Sequence, residues 1–251
     1  MTQTLMASLV IEPRFCGPPG CAHGGYLSGL LAAYSDQHLR IRLLQPIPLR
    51  SPLRIERDED GALELLQDER VLARCLPDEL DLVVPPAPSY LRALEASRNF
   101  AGFTRHAFPG CFACGPQRTR GDGLRIFAGP LGGSAGHEQV AAGWVPDASL
   151  AGSDGKVRPE FMAAALDCPG YFAARADGVP MLLGEFTVHV DRCVHTDEPC
   201  SVLGWKIAAA GRKCEVGTAL FDEDGELCAR ARAVWVQPRG AASAGTALAR
   251  S

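Results

Sequence analysis

The sequence contains no long apolar run and no large excess of charge of either sign. No uninterrupted apolar stretch approaches the roughly 20 residues that a membrane-spanning helix needs. The opening residues 1–14 lack the basic and apolar regions of a signal peptide. There are 25 basic and 29 acidic residues, and the formal net charge of −4 does not suit a nucleic-acid partner. We therefore expect a cytoplasmic globular protein with neither a membrane nor a nucleic-acid partner.

Cysteine is plentiful for such a protein, with ten residues in the chain. Five of them stand singly in apolar or strand-like segments: Cys75, Cys193, Cys200, Cys214 and Cys228. In such surroundings cysteine behaves as a small hydrophobic residue. These five therefore require no disulfide framework.

Two cysteine pairs suggest a metal site as an alternative. Cys16 and Cys21 are separated by four residues, Cys111 and Cys114 by two, and His23 follows the first pair. Together they offer the ligand types of a zinc centre. The first pair lacks the short spacing of a zinc knuckle, so we predict no metal and keep the zinc centre as the alternative.

The chain reads as one structural unit written twice. Each copy has a helical segment followed by several short strand-like segments that are separated by Pro, Asp and Gly turn signals. We predict the two helices at 24–38 and 159–175. The predicted divisions are a first domain at 1–80, a linker at 81–106, a second domain at 107–238 and a flexible tail at 239–251. Within the linker, Ser89 is predicted to cap a short helix that runs through Arg98.

The predicted strands alternate or carry β-branched residues. Those of the first copy are 4–13, 41–49, 52–57, 62–67 and 70–76, and those of the second are 123–129, 138–145, 182–190, 200–210, 214–222 and 227–236.

A carboxylate interrupts the second helical segment. The stretch RPEFMAAALDCPGYF, residues 158–172, is apolar or small on every side before it reaches Asp167. A helix of this kind is normally buried, and a buried charge is costly unless it is paired. Asp167 is therefore either a cap for a neighbouring backbone amide or a functional group.

Three segments carry recognisable motifs: HGGYLSGLLA at 23–32, CFACGPQ with GDGLRIF at 111–127, and AAALDCPGYFA at 163–173. Together they resemble the hotdog-fold acyl-CoA thioesterase superfamily in its single-chain, double-hotdog form. The resemblance covers residues 5 to about 237. It implies an α+β protein of two tandem hotdog folds, each a long helix wrapped by an antiparallel β-sheet, with sites at the seam between the halves.

A shift of 135 residues superposes the two helical segments and pairs Gly24 with Pro159, Gly25 with Glu160, and Ala32 with Asp167. In the family, a glycine turn opens the helix and a carboxylate follows eight residues after its first glycine. Here the first copy keeps the turn and the second copy keeps the carboxylate. The resemblance therefore implies one composite active site and one inactive seam.

The expected chemistry of that site is thioester hydrolysis. Backbone N–H groups of Gly24 and Gly25 would stabilise the oxyanion, whereas Pro159 has no N–H. Asp167 would act either as a general base on water or as a nucleophile. His23 would take part in proton transfer or only close the turn by hydrogen bonding.

Four further residues are candidates for substrate binding. Tyr26 and Phe161 occupy equivalent positions at the two helix starts. Arg212 and Lys213 would meet a coenzyme A phosphate, or else form a solvated strand end.

We therefore predict an acyl-CoA thioesterase that uses no cofactor apart from the coenzyme A of its substrate. The alternatives are a hotdog protein that binds acyl thioesters without turnover, and a hydratase or dehydratase on the same fold. Since a double hotdog still has sheet edges to cover, we also expect a homodimer.

Overall fold

The computed structural model describes residues 4–132, 139–174 and 180–239. Three α-helices occur in these ranges: α1 (Gly24–Ala32), α2 (Tyr90–Arg98) and α3 (Pro159–Ala174). The strands are β1 (Thr4–Leu9), β2 (Leu39–Leu43), β3 (Leu53–Arg57), β4 (Leu63–Gln67), β5 (Arg70–Pro77), β6 (Gly129–Pro130), β7 (Gln139–Trp144), β8 (Leu182–Val190), β9 (Cys200–Ala210), β10 (Lys213–Phe221) and β11 (Leu227–Val236). No helix in the described ranges combines the length and the apolar character needed to cross a membrane.

All of these strands belong to one antiparallel sheet with the order β1-β3-β4-β5-β2-β8-β11-β10-β9-β7-β6. The first five come from the N-terminal part of the chain and the other six from the C-terminal part. The two groups join where β2 pairs with β8, with Ile41 opposite Phe186. The two groups have the same internal order. The first group runs β1-β3-β4-β5-β2, and the second, read from the opposite edge of the sheet without the short strand β6, runs β7-β9-β10-β11-β8.

The helices α1 and α3 cross with their backbones close together. A Cβ atom on Gly25 would lie 2.8 Å from the carbonyl oxygen of Ala163, and one on Gly29 would lie 2.5 Å from the Cα of Glu160. Only glycine fits at such a distance. This crossing places Asp167 of α3 beside the start of α1.

The apolar character of α3 is explained by its burial. Every residue from Phe161 to Ala174 is buried, and the helix packs against β9, β10 and β11 as well as against α1. The prediction that this segment forms a buried helix is confirmed. It begins at Pro159, and predicted residue 175 lies outside the described ranges.

The first helix is shorter than predicted, since α1 ends at Ala32 and not at residue 38. The side-chain oxygen of Ser35 accepts a hydrogen bond of 3.1 Å from the backbone N–H of Gln37. A local bond of this type offers the backbone an alternative to the helix.

The predicted strand at 123–129 is also wrong for most of its length, because only Gly129 belongs to a strand. The amides of Leu124 and Ile126 donate to the carbonyl oxygens of Phe112 and Ala113 over 2.9 and 2.8 Å. This segment therefore pairs irregularly with the CFACG loop.

The predicted linker contains a packed helix. Ser89 caps α2 by accepting a hydrogen bond from the amide of Arg92, as predicted. Ala93 and Ala96 of this helix are buried against Leu203 and Trp205 of β9. The predicted tail from residue 240 onward lies outside the described residues.

Candidate active site

The start of α1 meets the middle of α3 at a buried carboxylate. The Oδ2 atom of Asp167 accepts a hydrogen bond of 2.7 Å from the backbone N–H of Gly25. Asp167 is 3% exposed, and its Oδ1 atom has no hydrogen-bond partner among the described residues. Burial raises the pKa of Asp167, and His23 and the Gly25 amide oppose this effect without cancelling it.

His23 is the N-cap of α1 and lies next to this carboxylate. Its Nδ1 atom accepts a hydrogen bond of 3.2 Å from the backbone N–H of Tyr26, which satisfies one of the free amides of the first turn. The neutral ring therefore carries its proton on Nε2. That atom lies 3.4 Å from Asp167 Oδ2 and 3.5 Å from Cys168 Sγ. Burial lowers the pKa of His23, but the charges of Asp167 and Cys111 outweigh it and leave the pKa raised.

The two glycine amides of α1 have different roles. The amide of Gly25 is engaged by Asp167, which corrects the expectation that both amides are available to an oxyanion. The amide of Gly24 has no hydrogen-bond partner in the described part of the chain. Gly24 also lines the cavity that contains Asp167. Of the two glycine amides, that of Gly24 is therefore the one left free to donate to a ligand.

The cavity around Asp167, the inner cavity, is largely apolar. It is lined by residues 17–24 at the start of α1, by residues 106–114, by α3 and by residues near β8 and β11; the apolar and aromatic side chains are Phe108, Tyr171, Met181, Leu182, Leu183 and Trp235. The indole N–H of Trp235 has no hydrogen-bond partner among the described residues. Two residues that line the cavity, Asp167 and Trp235, therefore each carry a buried polar atom without a partner among the described residues.

A second, more open cavity adjoins the first and shares Pro18, Gly24, Leu182 and Leu183 with it. Arg212 lines this outer cavity, and its guanidinium donates a hydrogen bond of 2.8 Å to the carbonyl oxygen of Gln237. Lys213 lines neither of the two cavities. Of the two cations predicted to meet a coenzyme A phosphate, Arg212 therefore lines a cavity next to the site and Lys213 does not.

The aromatic candidates Tyr26 and Phe161 pack in the core. Their rings stack at a centroid distance of 5.7 Å, and Tyr26 also stacks on Phe15 at 4.2 Å. Burial raises the pKa of Tyr26 to about 12. Neither residue lines the two cavities described above. Their position favours a packing role at the crossing of α1 and α3, in place of the predicted substrate contact.

The positions that the shift of 135 residues pairs with Asp167 and Gly24 have different chemistry. Ala32 stands where Asp167 stands in the second copy, and Pro159 has no N–H to donate. The carboxylate of Glu160 lies 3.3 Å from the guanidinium of Arg158. It is therefore neutralised in the first turn of α3.

Three thiols near Asp167 were not predicted as part of the site. Cys111 and Cys114 come from the CFACG loop, Cys168 follows Asp167 on α3, and all three line the inner cavity. The Sγ atoms of Cys111 and Cys168 are 3.6 Å apart. In the sequence, the position of Cys168 directly after Asp167 is the feature that could have identified Cys168 as part of the site.

The alternative zinc centre is not assembled as predicted. Among the described residues, one set of His, Cys, Asp and Glu side chains brings its ligand atoms within 4.8 Å of one another: His23, Cys111 and Cys168. Cys16 instead donates to the carbonyl oxygen of Gly110. The Nε2 atom of His23 carries the proton and offers no lone pair, so His23 does not fit a metal in this geometry.

No protein-family model and no curated protein matches the sequence. Three solved structures are similar along nearly the whole chain. A proposed thioesterase from Novosphingobium aromaticivorans has a TM-score of 0.58 at 15% identity and covers 92% of this chain and 94% of its own. The tesB protein of Mycobacterium avium subspecies paratuberculosis has a TM-score of 0.57 at 15% identity and covers 92% of each chain.

The third is a hotdog-fold protein of unknown function from Alicyclobacillus acidocaldarius, with a TM-score of 0.55 at 13% identity and coverage of 94% and 96% of the two chains. At such identities a structural likeness shows the fold alone. The likeness confirms the predicted hotdog fold, so this chain is a hotdog-fold protein.

Proposed function

We propose that the protein hydrolyses acyl thioesters, with acyl-CoA as the substrate class. The observation that carries this proposal is the buried Asp167 carboxylate, which α3 brings to the start of α1 inside an apolar cavity. A buried carboxylate in an apolar helix costs stability. One of its oxygens is bonded to the Gly25 amide, whereas the other is unpaired. A simple capping role does not account for the unpaired oxygen.

We also propose that the chain is a tandem double hotdog and that the site is composite, as the resemblance implies. The helices α1 and α3 start 135 residues apart, at Gly24 and Pro159. The matching strand order of the two groups supports two equivalent domains, at 1–80 and 107–238. In this arrangement each domain supplies one part of the site, since the donor comes from the first and the carboxylate from the second.

The proposed reaction uses the groups in distinct roles. The acyl chain occupies the apolar inner cavity, and the carbonyl oxygen approaches the free amide of Gly24, which carries the positive end of the α1 dipole. Asp167 receives a proton from water as a general base. The CoA portion extends through the outer cavity toward Arg212, whose cationic head suits a phosphate. Hydrolysis by this route needs water and no added cofactor.

The neighbour from Novosphingobium aromaticivorans, which is named a thioesterase, supports the reaction class at the level of fold. Its similarity extends over nearly all of this chain. Function still depends on the residues of the site, and Asp167 with Gly24 supplies a base and a donor.

The direct test is a screen of acyl-CoA substrates that differ in chain length and aromatic character. Released CoA is measured by chromatography, because the ten cysteines of the protein would react with a thiol dye. We expect release for at least one substrate class, at a rate that falls strongly in Asp167→Asn. Binding of acyl-CoA without release by the wild-type protein would instead support the non-catalytic alternative.

One observation favours the hydratase or dehydratase as a second candidate. The sequence offers no histidine at helical spacing from Asp167, yet the fold brings His23 Nε2 within 3.4 Å of its carboxylate. Such a pair could add or remove water across a carbon–carbon double bond. The same screen should include an unsaturated acyl-CoA, with loss of the double bond as the readout.

A homodimer remains our proposal for the assembly. The β1 edge of the sheet exposes Leu5 and Met6 by 58% and 40%, and an uncovered edge invites pairing. Light scattering at micromolar concentration should give twice the chain mass. A monomer would contradict this proposal without affecting the site.

A further inference from the structure

The inner cavity contains three thiols that have no role when water attacks the thioester directly. Cys111, Cys114 and Cys168 are each 5% exposed or less. Cys168 Sγ lies 3.6 Å from Cys111 Sγ. Cys114 lines the same cavity. The Cys111 sulfur lies within 4.8 Å of ligand atoms of both Cys168 and His23, so it has a thiol and an imidazole as close neighbours.

Two histidines add N–H donors to this cluster. His23 accepts from the Tyr26 amide through Nδ1, so its Nε2–H points toward Cys168 Sγ at 3.5 Å. His106 accepts from the amide of Phe108 through Nδ1 over 2.9 Å, so its Nε2–H donates to Cys114 Sγ at 3.3 Å. Backbone amides thus fix both rings in the same tautomer, with the proton on the sulfur side.

Such surroundings stabilise a negative charge on sulfur. Hydrogen bonds to a charged group favour the charged form, and a cysteine with a thiolate-stabilising shell is a nucleophile. The neighbouring thiols of Cys114 and Cys168, with His23, hold the pKa of Cys111 below its usual value against the effect of burial. Burial raises the pKa of Asp167. We assign the resting negative charge to Cys111, which lies beside Cys168 and His23, and the proton to the buried Asp167.

We propose that Cys111 is the nucleophile of the reaction and that the acyl group passes through an S-acyl-cysteine on this residue. The inference rests on the proposed thioesterase function and extends it by a covalent intermediate. It assigns Asp167 to proton transfer in both half-reactions.

In the first half-reaction the Cys111 thiolate attacks the thioester carbonyl. The bond from the carbonyl carbon to the CoA sulfur breaks, and the leaving sulfur takes the proton from the carboxyl group of Asp167. The products are S-acyl-Cys111, the Asp167 carboxylate and free CoA thiol. In the second half-reaction Asp167 takes a proton from water, whose oxygen attacks the S-acyl carbon. The carboxylic acid is released, and the Cys111 thiolate and the protonated Asp167 are restored.

The test uses full-length protein with the best acyl-CoA from the screen. Rapid acid quench and tryptic digestion should release the peptide 106–118, which contains Cys111 and Cys114, and tandem mass spectrometry should place the acyl group on Cys111. Asp167→Asn removes the proton donor of the first half-reaction and the base of the second. Because a thiolate can leave without a proton whereas attack by water needs a base, the second half-reaction should slow more. We therefore expect a burst of about one CoA per chain in this variant and accumulation of the acyl-enzyme.

Variants of the thiols complete the test. Cys111→Ser and Cys111→Ala should lose the acyl adduct and most turnover, with the fold checked by circular dichroism. Cys75→Ser is the matched control, since Cys75 is also fully buried but lies in β5 away from the cavity. It should keep both the adduct and the turnover.

Three outcomes would overturn the inference, and they are distinguishable. In the first, the wild-type protein releases CoA, but neither it nor Asp167→Asn carries an acyl adduct on Cys111, and Cys111→Ala keeps full turnover. This outcome leaves the thioesterase function standing and removes the intermediate. An adduct on Asp167 would assign the nucleophile to the carboxylate. Absence of CoA release from every substrate would overturn the thioesterase function and the inference with it.

Discussion

The backbone N–H of Gly25 and the Oδ2 atom of Asp167 are 2.7 Å apart across the crossing of α1 and α3. This bond joins the N-terminal and C-terminal parts of the chain. It fixes one oxygen of the carboxylate and leaves the other buried without a hydrogen-bond partner among the described residues. The geometry therefore favours a carboxylate that is oriented for proton transfer over one that only caps a helix.

Asp167→Asn should abolish most thioester hydrolysis and leave the fold intact. Loss of a general base typically costs about 100- to 10,000-fold in rate, whereas the amide oxygen of Asn can still accept from the Gly25 N–H. Steady-state CoA release measures the rate. Ala32→Ser is the matched control, because it changes the equivalent position at the other junction, where Pro159 offers no amide. Equal losses in the two variants, with both proteins folded, would place the active seam on the other side.

The same variant should also change how stability depends on pH. The pKa of Asp167 is raised in the folded protein, so the folded state binds this proton more tightly than the unfolded state, whose pKa is about 3.9. The contribution of the protonated carboxyl is fully present below that value and is lost as pH rises through the folded pKa. The free energy of unfolding of Asp167→Asn should therefore gain on that of the wild type from about pH 3 to neutrality. Denaturant titrations at several pH values test this, and a constant difference would contradict it.

Gly24→Ala should reduce hydrolysis by covering the free amide at the start of α1. The new Cβ would lie 2.6 Å from Leu183 Cδ2 and 3.5 Å from Asp167 Oδ2, so it narrows the approach of the carbonyl. Loss of one oxyanion donor typically costs about 100- to 1,000-fold in kcat. Gly132→Ala is the control, since a Cβ at Gly132 meets no atom within 4 Å. Unchanged kcat in Gly24→Ala would remove this amide from the mechanism.

The sequence predicted the elements of this site better than their contacts. Helical and alternating patterns are local, so α3 and β9 could be read from the chain with correct starts. The repeat shift placed Ala32 opposite Asp167 in sequence. The bond from Asp167 to Gly25 depends instead on how two helices cross, and on glycines where an added Cβ would lie only 2.5–2.8 Å from backbone atoms of α3. Such packing has no local signature.

The role of single residues shows the same limit. Tyr26 looked like a pocket residue because it follows the glycine turn, yet it stacks on Phe15 in the core. The sequence pattern assigns no role to Cys168, yet its Sγ atom lies 3.6 Å from that of Cys111, which is 57 residues away in the chain. Side-chain direction on a helix follows from the position of the partner element, and the sequence alone does not supply that position.

Gly29→Ala should destabilise the fold through the crossing of α1 and α3. Its Cβ would meet the Cα of Glu160 at 2.5 Å and the Cβ of Ala163 at 2.9 Å, and backbone atoms cannot move aside as a flexible side chain does. Overpacking of this kind typically costs about 1–3 kcal/mol. Chemical denaturation measures the loss relative to Gly132→Ala. A variant as stable as wild type would show that the helices are less closely packed than described.

Arg212→Ala should weaken the binding of CoA substrates while changing the chemical step little. Arg212 lines the outer cavity, whereas Lys213 lines neither cavity, so Lys213→Ala is the matched control for loss of one positive charge. We expect KM for acyl-CoA to rise in Arg212→Ala with kcat nearly unchanged, as for an interaction made equally in the ground and transition states. An acyl-pantetheine substrate, which lacks the nucleotide phosphates, should show no such rise. If the two variants raise KM equally, the cations act only through net charge, and a rise that persists with acyl-pantetheine would mean that Arg212 shapes the cavity wall without binding phosphate.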